Sequence, residues 1–417
     1  MKVAIYVQQL CFQGGIERVV RELTRIFQSH QVECQTFGSM GVDFVLQSRG
    51  VERQQKLTQW LQTFQPDVCI FNVVAYREFN DDVAVLNRLG IPKVAVCHFS
   101  FPSMILLDGD ELANQVFLEG AKRCELVATV SLIDAQWWRA LGCPAVHVQN
   151  PFVHPKMNAQ HLLRSSETAP RKVLWVGRQA QPKQPSAALA AFAAVTRAIP
   201  DAHLTMIGGA DAGWKRFRRQ AKRLGLTQDQ VTFLSERDDI SDFWEAADIH
   251  LLSSVTESFC LVLAEAKAWG KPTVMFEIPF LELVESGEGL ISVPQGDIQA
   301  LADGIIRLMK QPALCKRLGV AARESLKKFN DEAVWQSWQY AFQTLVEPSK
   351  KVSTSPELKI VASQIMFAWQ DFYKRNFWAI RFVREWQLLF RCSLMPIARV
   401  VSMLVSGIRG VRRRVHR

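Results

Sequence analysis

The sequence predicts an α/β protein: two Rossmann-like, doubly wound domains facing a cleft, followed by a C-terminal amphipathic helical extension. Three observations predict it. Short continuous apolar runs alternate with helix-length segments over residues 1–150 and again over 172–329, the pattern of parallel sheets covered on both faces. A polar, proline-bounded stretch at 151–171 separates the two series, as a linker does. The charge is also segregated, since residues 357–417 hold twelve Lys/Arg against three acids and so carry +9 of the net +10.

A 417-residue chain that is 48% hydrophobic can fill two cores with an appendage to spare. Its nine cysteines are scattered and contain no C-x-x-C pair, which argues against a disulfide framework or a zinc knuckle and for a reducing compartment. Residues 3–7 are too short an apolar run for a signal peptide, so the body is expected in the cytoplasm. A nucleic-acid-binding domain would carry its basic stripe on the body, whereas here residues 1–356 hold only about +1. No nucleic-acid partner is expected.

In the first series the apolar runs 3–7, 67–71, 93–97, 126–130 and 145–148 read as strands, with helices near 16–29, 53–64, 110–123 and 132–141. Ligands of such sheets bind at the carboxyl ends of the strands. After the first run, Gln13-Gly14-Gly15-Ile16-Glu17-Arg18 opens a helix. Paired glycines allow a tight turn and a close approach to a ligand, but the third glycine of a dinucleotide fingerprint is missing, so no nicotinamide cofactor is expected. His98 follows the run 93–97 and faces the expected crevice. Asp108-Gly109-Asp110 has the spacing of a metal-binding D-x-D, yet acids are favoured at a helix start in any case, and no metal site is assigned. Ser131 reads as the N-cap of the next helix.

The second series has strands near 172–176, 203–207, 231–234, 248–252, 272–275 and 289–293. Arg178 and Lys183 stand at the mouth of its first strand, opposite a helix start at Ser258-Phe259-Cys260-Leu261. Arginine grips two phosphate oxygens, lysine is a compact charge, and a helix start adds unpaired amides. Together they fit a diphosphate. Gly208-Gly209 lets the main chain lie close to a flat base or ribose. Glu257 and Glu265 enclose an apolar filling, which implies a buried helix where a carboxylate needs a partner. A carboxylate there suits sugar hydroxyls, and the whole reads as a nucleotide-sugar site.

These pieces resemble the retaining glycosyltransferases of the GT-B fold, specifically the group typified by bacterial family-4 enzymes. The resemblance rests on Gly14-Gly15-Ile16-Glu17-Arg18, His98, Val176-Gly177-Arg178 followed by Lys183, Gly208-Gly209, and Glu257 through Glu265 with Ala266-Lys267-Ala268-Trp269-Gly270-Lys271-Pro272 behind it, and covers roughly residues 1–346. It implies that Arg178 and Lys183 neutralise the diphosphate and that Glu265 accepts from the ribose hydroxyls. It further implies that Glu257 contacts the donor sugar, and the amides of Phe259 to Leu261 its phosphates or hydroxyls. Gly14 and Gly15 would approach the donor across the cleft, and His98 would face the transferred sugar. The family retains anomeric configuration and uses no metal, and the nucleotide sugar is a substrate, so no cofactor is expected. Cys260, Gln184 and Ser235-Glu236 replace small residues or glycines of the family pattern, which bears on which sugar and base fit.

Residues 330–347 read as a helix crossing back onto the first domain, as in other GT-B proteins, and 348–356 as a flexible connector. Beyond it, on a helical wheel, Lys374, Arg381, Arg384, Arg391, Arg399, Arg409, Arg413 and Arg417 share an arc of roughly 120°, opposite Trp386 and a run of aliphatic and aromatic residues. Arg391, Pro396 and Arg399 interrupt every window of about twenty residues that could span a bilayer. The expectation is therefore a helix lying on an anionic membrane surface, at the inner face of the cell membrane. The resulting functional expectation is transfer of a hexose from a nucleotide diphosphate sugar, UDP favoured, to a saccharide or lipid-linked acceptor at that membrane. The alternatives are a UDP-sugar epimerase of the same architecture and a non-catalytic, transferase-like membrane partner.

Overall fold

The structure, a computed structural model, describes residues 1–11, 14–100, 111–152, 169–278, 281–285 and 289–346, all within the unit Met1–Lys359. The Asp108–Asp110 triplet, residues 153–168 of the linker, the connector 348–356 and the basic stretch 357–417, with Arg381, Arg384, Trp386, Arg391, Arg399, Arg409 and Arg413, lie outside the described residues.

The first sheet has seven parallel strands, β1 (Lys2–Tyr6), β2 (Glu33–Gly38), β3 (Phe44–Val45), β4 (Val68–Phe71), β5 (Lys93–Cys97), β6 (Leu126–Thr129) and β7 (Ala145–His147), in the order β3-β2-β1-β4-β5-β6-β7. Helices α1 (Gly15–Ser29), α2 (Gly50–Phe64), α3 (Phe79–Leu89), α4 (Glu111–Ala121) and α5 (Leu132–Ala140) connect them. Every residue of β4 and β5 is buried, as strands covered on both faces must be. The strands β2 and β3 escape the search for continuous apolar runs. In β2, Thr36 is buried but satisfied, its hydroxyl donating to Asp43 Oδ2 at 2.8 Å. A polar residue paired in this way sits in a sheet without showing in hydropathy.

The second sheet holds β8 (Lys172–Val176), β9 (His203–Ile207), β10 (Val231–Leu234), β11 (Ile249–Leu252), β12 (Thr273–Phe276) and β13 (Leu290–Val293), again all parallel, in the order β10-β9-β8-β11-β12-β13. Its helices are α6 (Pro185–Ala198), α7 (Asp211–Arg223), α8 (Ser241–Ala246), α9 (Leu261–Ala268), α10 (Glu282–Glu285), α11 (Ile298–Lys310) and α12 (Pro312–Ser325). Trp175, Phe192, Trp214 and Phe217 fill the core under β8 and β9. In both sheets the first strand has the second on one side and the fourth on the other. The chain therefore reverses its direction of travel beside β1 and beside β8, and a crevice opens at the carboxyl ends there.

The last described helix, α13 (Asp331–Val346), packs on the first sheet. Val334, Trp338, Ala341 and Phe342 enter the core around β1, with Phe27 of α1 5.5 Å from the Trp338 ring and 5.6 Å from that of Phe342. One core is thus shared by the beginning and the end of this unit, which ties the second lobe's chain to the first.

His250 sits fully buried in the middle of β11, its Nδ1 3.1 Å from Thr273 Oγ1 and its ring 5.3 Å from that of Trp244. Burial lowers its pKa from 6.5 to about 3. Between those two values the unfolded chain takes up a proton that the folded chain refuses, so stability is full above the unfolded pKa and is lost as pH falls below it. The loss should reach about 2 kcal/mol at about pH 5. Urea midpoints measured from about pH 7.5 to about pH 5 should fall, and should fall less steeply in His250→Asn. An unchanged slope in that variant would contradict the assignment.

Candidate functional site

The carboxyl end of β1 leads into α1, whose first residue is Gly15 and whose N-cap, Gly14, makes no side-chain capping bond. The carboxyl end of β11 leads through Glu257 and Ser258 to α9, which begins at Leu261 behind an equally uncapped Cys260. The helix start is therefore three residues later than the sequence implied. Cys260 is the reason, because its φ of +67° is left-handed and cannot continue a helix. Neither helix has a side-chain cap bond; at α9 the Leu263 amide donates to the Cys260 carbonyl at 3.0 Å, which leaves the amides ahead of it without a cap. They also meet, since a Cβ placed on Gly15 would lie 3.6 Å from Leu261 Cδ1 of the other lobe. Two amino ends of like partial charge thus face one region between the lobes, where an anion would be stabilised by both.

The cations are set beside it. Lys183 ends a short 3-10 turn, Gln181–Lys183. Its carbonyl accepts from Ser253 Oγ at 2.8 Å, and Ser253 in turn accepts from Trp175 Nε1 at 2.9 Å. The Lys183 ammonium reaches Glu257 Oε1 at 2.5 Å. Burial works against the ammonium, but Glu257 outweighs it and the pKa of Lys183 is raised. Arg178 is exposed and has no hydrogen bond or ion pair among the described residues, while its charge opposes that of Lys183. Glu265, 8% exposed, finds its partner across the cleft, accepting from Arg18 Nη2 at 2.5 Å. Both carboxylates expected to need a partner have one.

Two further bonds join the lobes at this point. Ser258 Oγ donates to the carbonyl of His98 at 2.6 Å, and Thr256 Oγ1 lies 2.8 Å from Ser100 Oγ. His98 is half-buried, with Nε2 2.9 Å from Asn72 Oδ1. The Asn72 amide nitrogen donates to Tyr6 O at 3.1 Å, so its oxygen is the acceptor and His98 Nε2 carries the proton. Burial lowers the pKa of His98 to about 4. The ring is neutral at ordinary pH and offers Nδ1 as a lone pair. Cys260 is no nucleophile, because burial first and Glu257 second push its thiol pKa up.

Gly208 and Gly209 stand at the end of β9, at φ +136° and +63°. A Cβ on Gly208 would meet Gly177 O at 2.2 Å, so glycine is required there by the turn after β8. The main chain expected to face a base is spanned by Gln179, whose Nε2 donates to Gly208 O and Ala210 O, both at 3.0 Å. Ser131 occupies the N-cap position of α5, but its hydroxyl makes no capping bond.

The structure therefore gathers Gly14, Gly15, His98, Lys183, Glu257, Ser258, Phe259, Cys260, Leu261 and Glu265 at the meeting of the two lobes. Arg178 and Gly208–Gly209 stand at the neighbouring strand ends of the second sheet. Sequence reasoning missed Asn72 and Ser253 and gave Arg18 no task of its own. Asn72 directly follows the apolar run 67–71, a strand end in the same sheet as His98, and that position was its signal.

Residues 170–311 match the family model of the glycosyl transferases group 1. Over 239 residues the chain is 27% identical to a phosphatidyl-myo-inositol mannosyltransferase of Mycobacterium leprae, a match that takes in 55% of this chain and 63% of that protein. Among solved structures, sucrose-phosphate synthase from Thermosynechococcus elongatus superposes with a TM-score of 0.65 at 19% identity, over 84% of this chain and all of the other. Anabaena Alr3699/HepE, solved with UDP-glucose, gives 0.67 at 20% identity, over 82% of this chain and 100% of that one. The chain has the GT-B fold, and residues 170–311 of its second lobe are similar to the glycosyl transferases group 1. The GT-B cleft is the crevice in which the two uncapped helices meet.

A hydrogen bond to a charged group is worth about 1.5–3 kcal/mol. Lys183→Gln leaves Glu257 a donor but removes the charge, so UDP or GDP affinity measured by calorimetry should fall about tenfold to a hundredfold. The melting curve should change little. Undiminished nucleotide affinity would show that Lys183 does not meet the diphosphate.

Proposed function

We propose that this protein is a retaining, metal-independent glycosyltransferase that moves a hexosyl group from a nucleotide diphosphate sugar to a saccharide or lipid-linked acceptor at a membrane surface. The observation that carries the proposal is the meeting of two uncapped helix starts, one from each lobe, beside Lys183 and Arg178. Departure of a nucleoside diphosphate builds negative charge on phosphate and positive charge on the sugar ring. Fixed amides and cations stabilise that charge without reorganising, each such donor being worth about 3–4 kcal/mol. In the net reaction the bond from sugar C1 to the diphosphate oxygen breaks and a bond from C1 to an acceptor hydroxyl oxygen forms. The hydroxyl proton leaves with the phosphate. His98, neutral and held by Asn72, faces the transferred sugar in this reading, while Glu257 and Glu265 accept from sugar and ribose hydroxyls.

A membrane acceptor is supported by the charge segregation into residues 357–417 and by the lipid named in the mycobacterial relative. Among the described residues no helix is long and apolar enough to cross a membrane, and the proposed attachment is to the inner face of the cell membrane by the basic stretch. UDP is favoured as the nucleotide because the similarly folded Anabaena protein was solved with UDP-glucose.

Incubation of the protein with a panel of UDP- and GDP-hexoses and membrane extract should place labelled hexose in a glycan or lipid product with the donor's anomeric configuration. Conversion of a UDP-sugar to its epimer without acceptor would overturn the transferase reading. Deletion of residues 357–417 should abolish sedimentation with anionic vesicles while nucleotide binding survives. Unchanged sedimentation would refute the membrane assignment.

A further inference from the structure

Arg18 has a place in the site that the transferase reading does not use. It sits one turn into α1, its amide donating to Gly14 O at 3.1 Å, on the stretch of helix that meets α9. Its guanidinium contacts Glu265 Oε1 through Nη2 alone and has no other hydrogen bond among the described residues. Arginine pairs with carboxylates most strongly through two parallel bonds, so this single contact leaves four of its five N–H donors uncommitted. The Arg18 side chain is 40% exposed and that of Glu265 only 10%. The cation is thus the mobile member and the carboxylate the fixed one.

Lys183 and Glu257 repeat the arrangement a few residues away, with a cation placed for phosphate held by a carboxylate placed for hydroxyls. Two such pairs neutralise the site internally. A nucleotide diphosphate brings groups for both members of each pair, phosphate for the cation and hydroxyls for the carboxylate. Since a Cβ placed on Gly15 would lie 3.6 Å from Leu261 Cδ1, a guanidinium one turn beyond Gly15 stands within side-chain reach of the α9 start.

We propose that Arg18 is a donor-binding residue that changes partners, leaving Glu265 for the diphosphate when the nucleotide arrives. The first lobe would then supply a cation of its own to the leaving group, and only when that group is present. This inference rests on the nucleotide-sugar reading of the site.

Inorganic pyrophosphate is the decisive probe, because it carries phosphate and no hydroxyl for Glu265 to accept. Calorimetry should show Arg18→Gln weakening pyrophosphate about tenfold or more, and Glu265→Gln tightening it about threefold by releasing Arg18. The tightening should vanish in the double variant, since it acts through Arg18. Pyrophosphate affinity unchanged by Arg18→Gln, or tightening that persists without Arg18, would make Arg18 a fixed brace between the lobes and overturn the proposal. Lys183→Gln in the same assay tests the site reading separately. Loss of affinity there with no effect of Arg18→Gln would sink only the partner exchange. A wild-type chain that binds no pyrophosphate, or a Lys183→Gln variant that binds it undiminished, would sink both.

Discussion

Two helices from different lobes direct their amino ends at the same region, and the rest of the site follows from that constraint. Each end carries roughly half a positive charge in its unpaired amides. Neither Gly14 nor Cys260 caps its helix with a side chain; the Cys260 carbonyl takes the Leu263 amide and Glu17 lies in the first turn of α1, but the amides of Leu261 and Gly15 are left for a ligand. Near them the chain places Lys183 and Arg18, which would add to the repulsion were they not paired with Glu257 and Glu265. The carboxylates thus have two uses. They make the site tolerable to fold, and they present oxygens that a hydroxyl-bearing ligand can claim once an anion takes over the cations.

Holding two like-charged ends together takes work from elsewhere in the molecule. Trp338 and Phe342 of α13 lie against Phe27 of α1, so the helix that closes the unit is anchored in the lobe where the chain began. Glu282 of α10 accepts from the amide of Leu132 at the start of α5 at 3.2 Å. Near the cleft, Ser258 to the His98 carbonyl and Thr256 to Ser100 complete the contact. These last bonds are between small hydroxyl groups and neutral partners, worth about 1 kcal/mol each. The tether is an aromatic core at the back and, at the mouth, two neutral hydrogen bonds and the Arg18–Glu265 ion pair, whose carboxylate and guanidinium are the groups a ligand would compete for.

Much of this was legible in the chain. The strands that carry ligand groups, β1, β5, β8 and β11, are apolar apart from a leading lysine in the first three and His250 in the last, and the residues at their ends stand where ligand groups gather. The strand β2 and the two-residue edge strand β3 were not legible; in β2 the pairing of Thr36 with Asp43 hides its burial. The start of α9 was misplaced because a left-handed cysteine has no signature in composition. Asn72 and Arg18 act through partners 26 and 247 residues away, and a local pattern does not report pairings of that range. Gly208 was read as an opening toward a ligand, whereas its φ and the nearness of Gly177 O show that the turn itself demands it.

The central claim is that one anion is shared by the two helix starts. Amide hydrogen exchange with and without UDP or GDP tests it most directly, because the exchanging amides are the ligands themselves. The account predicts added protection at both ends together, over Gly15–Glu17 and over Leu261–Val262. Protection confined to one lobe, with the other start exchanging as before, would contradict it.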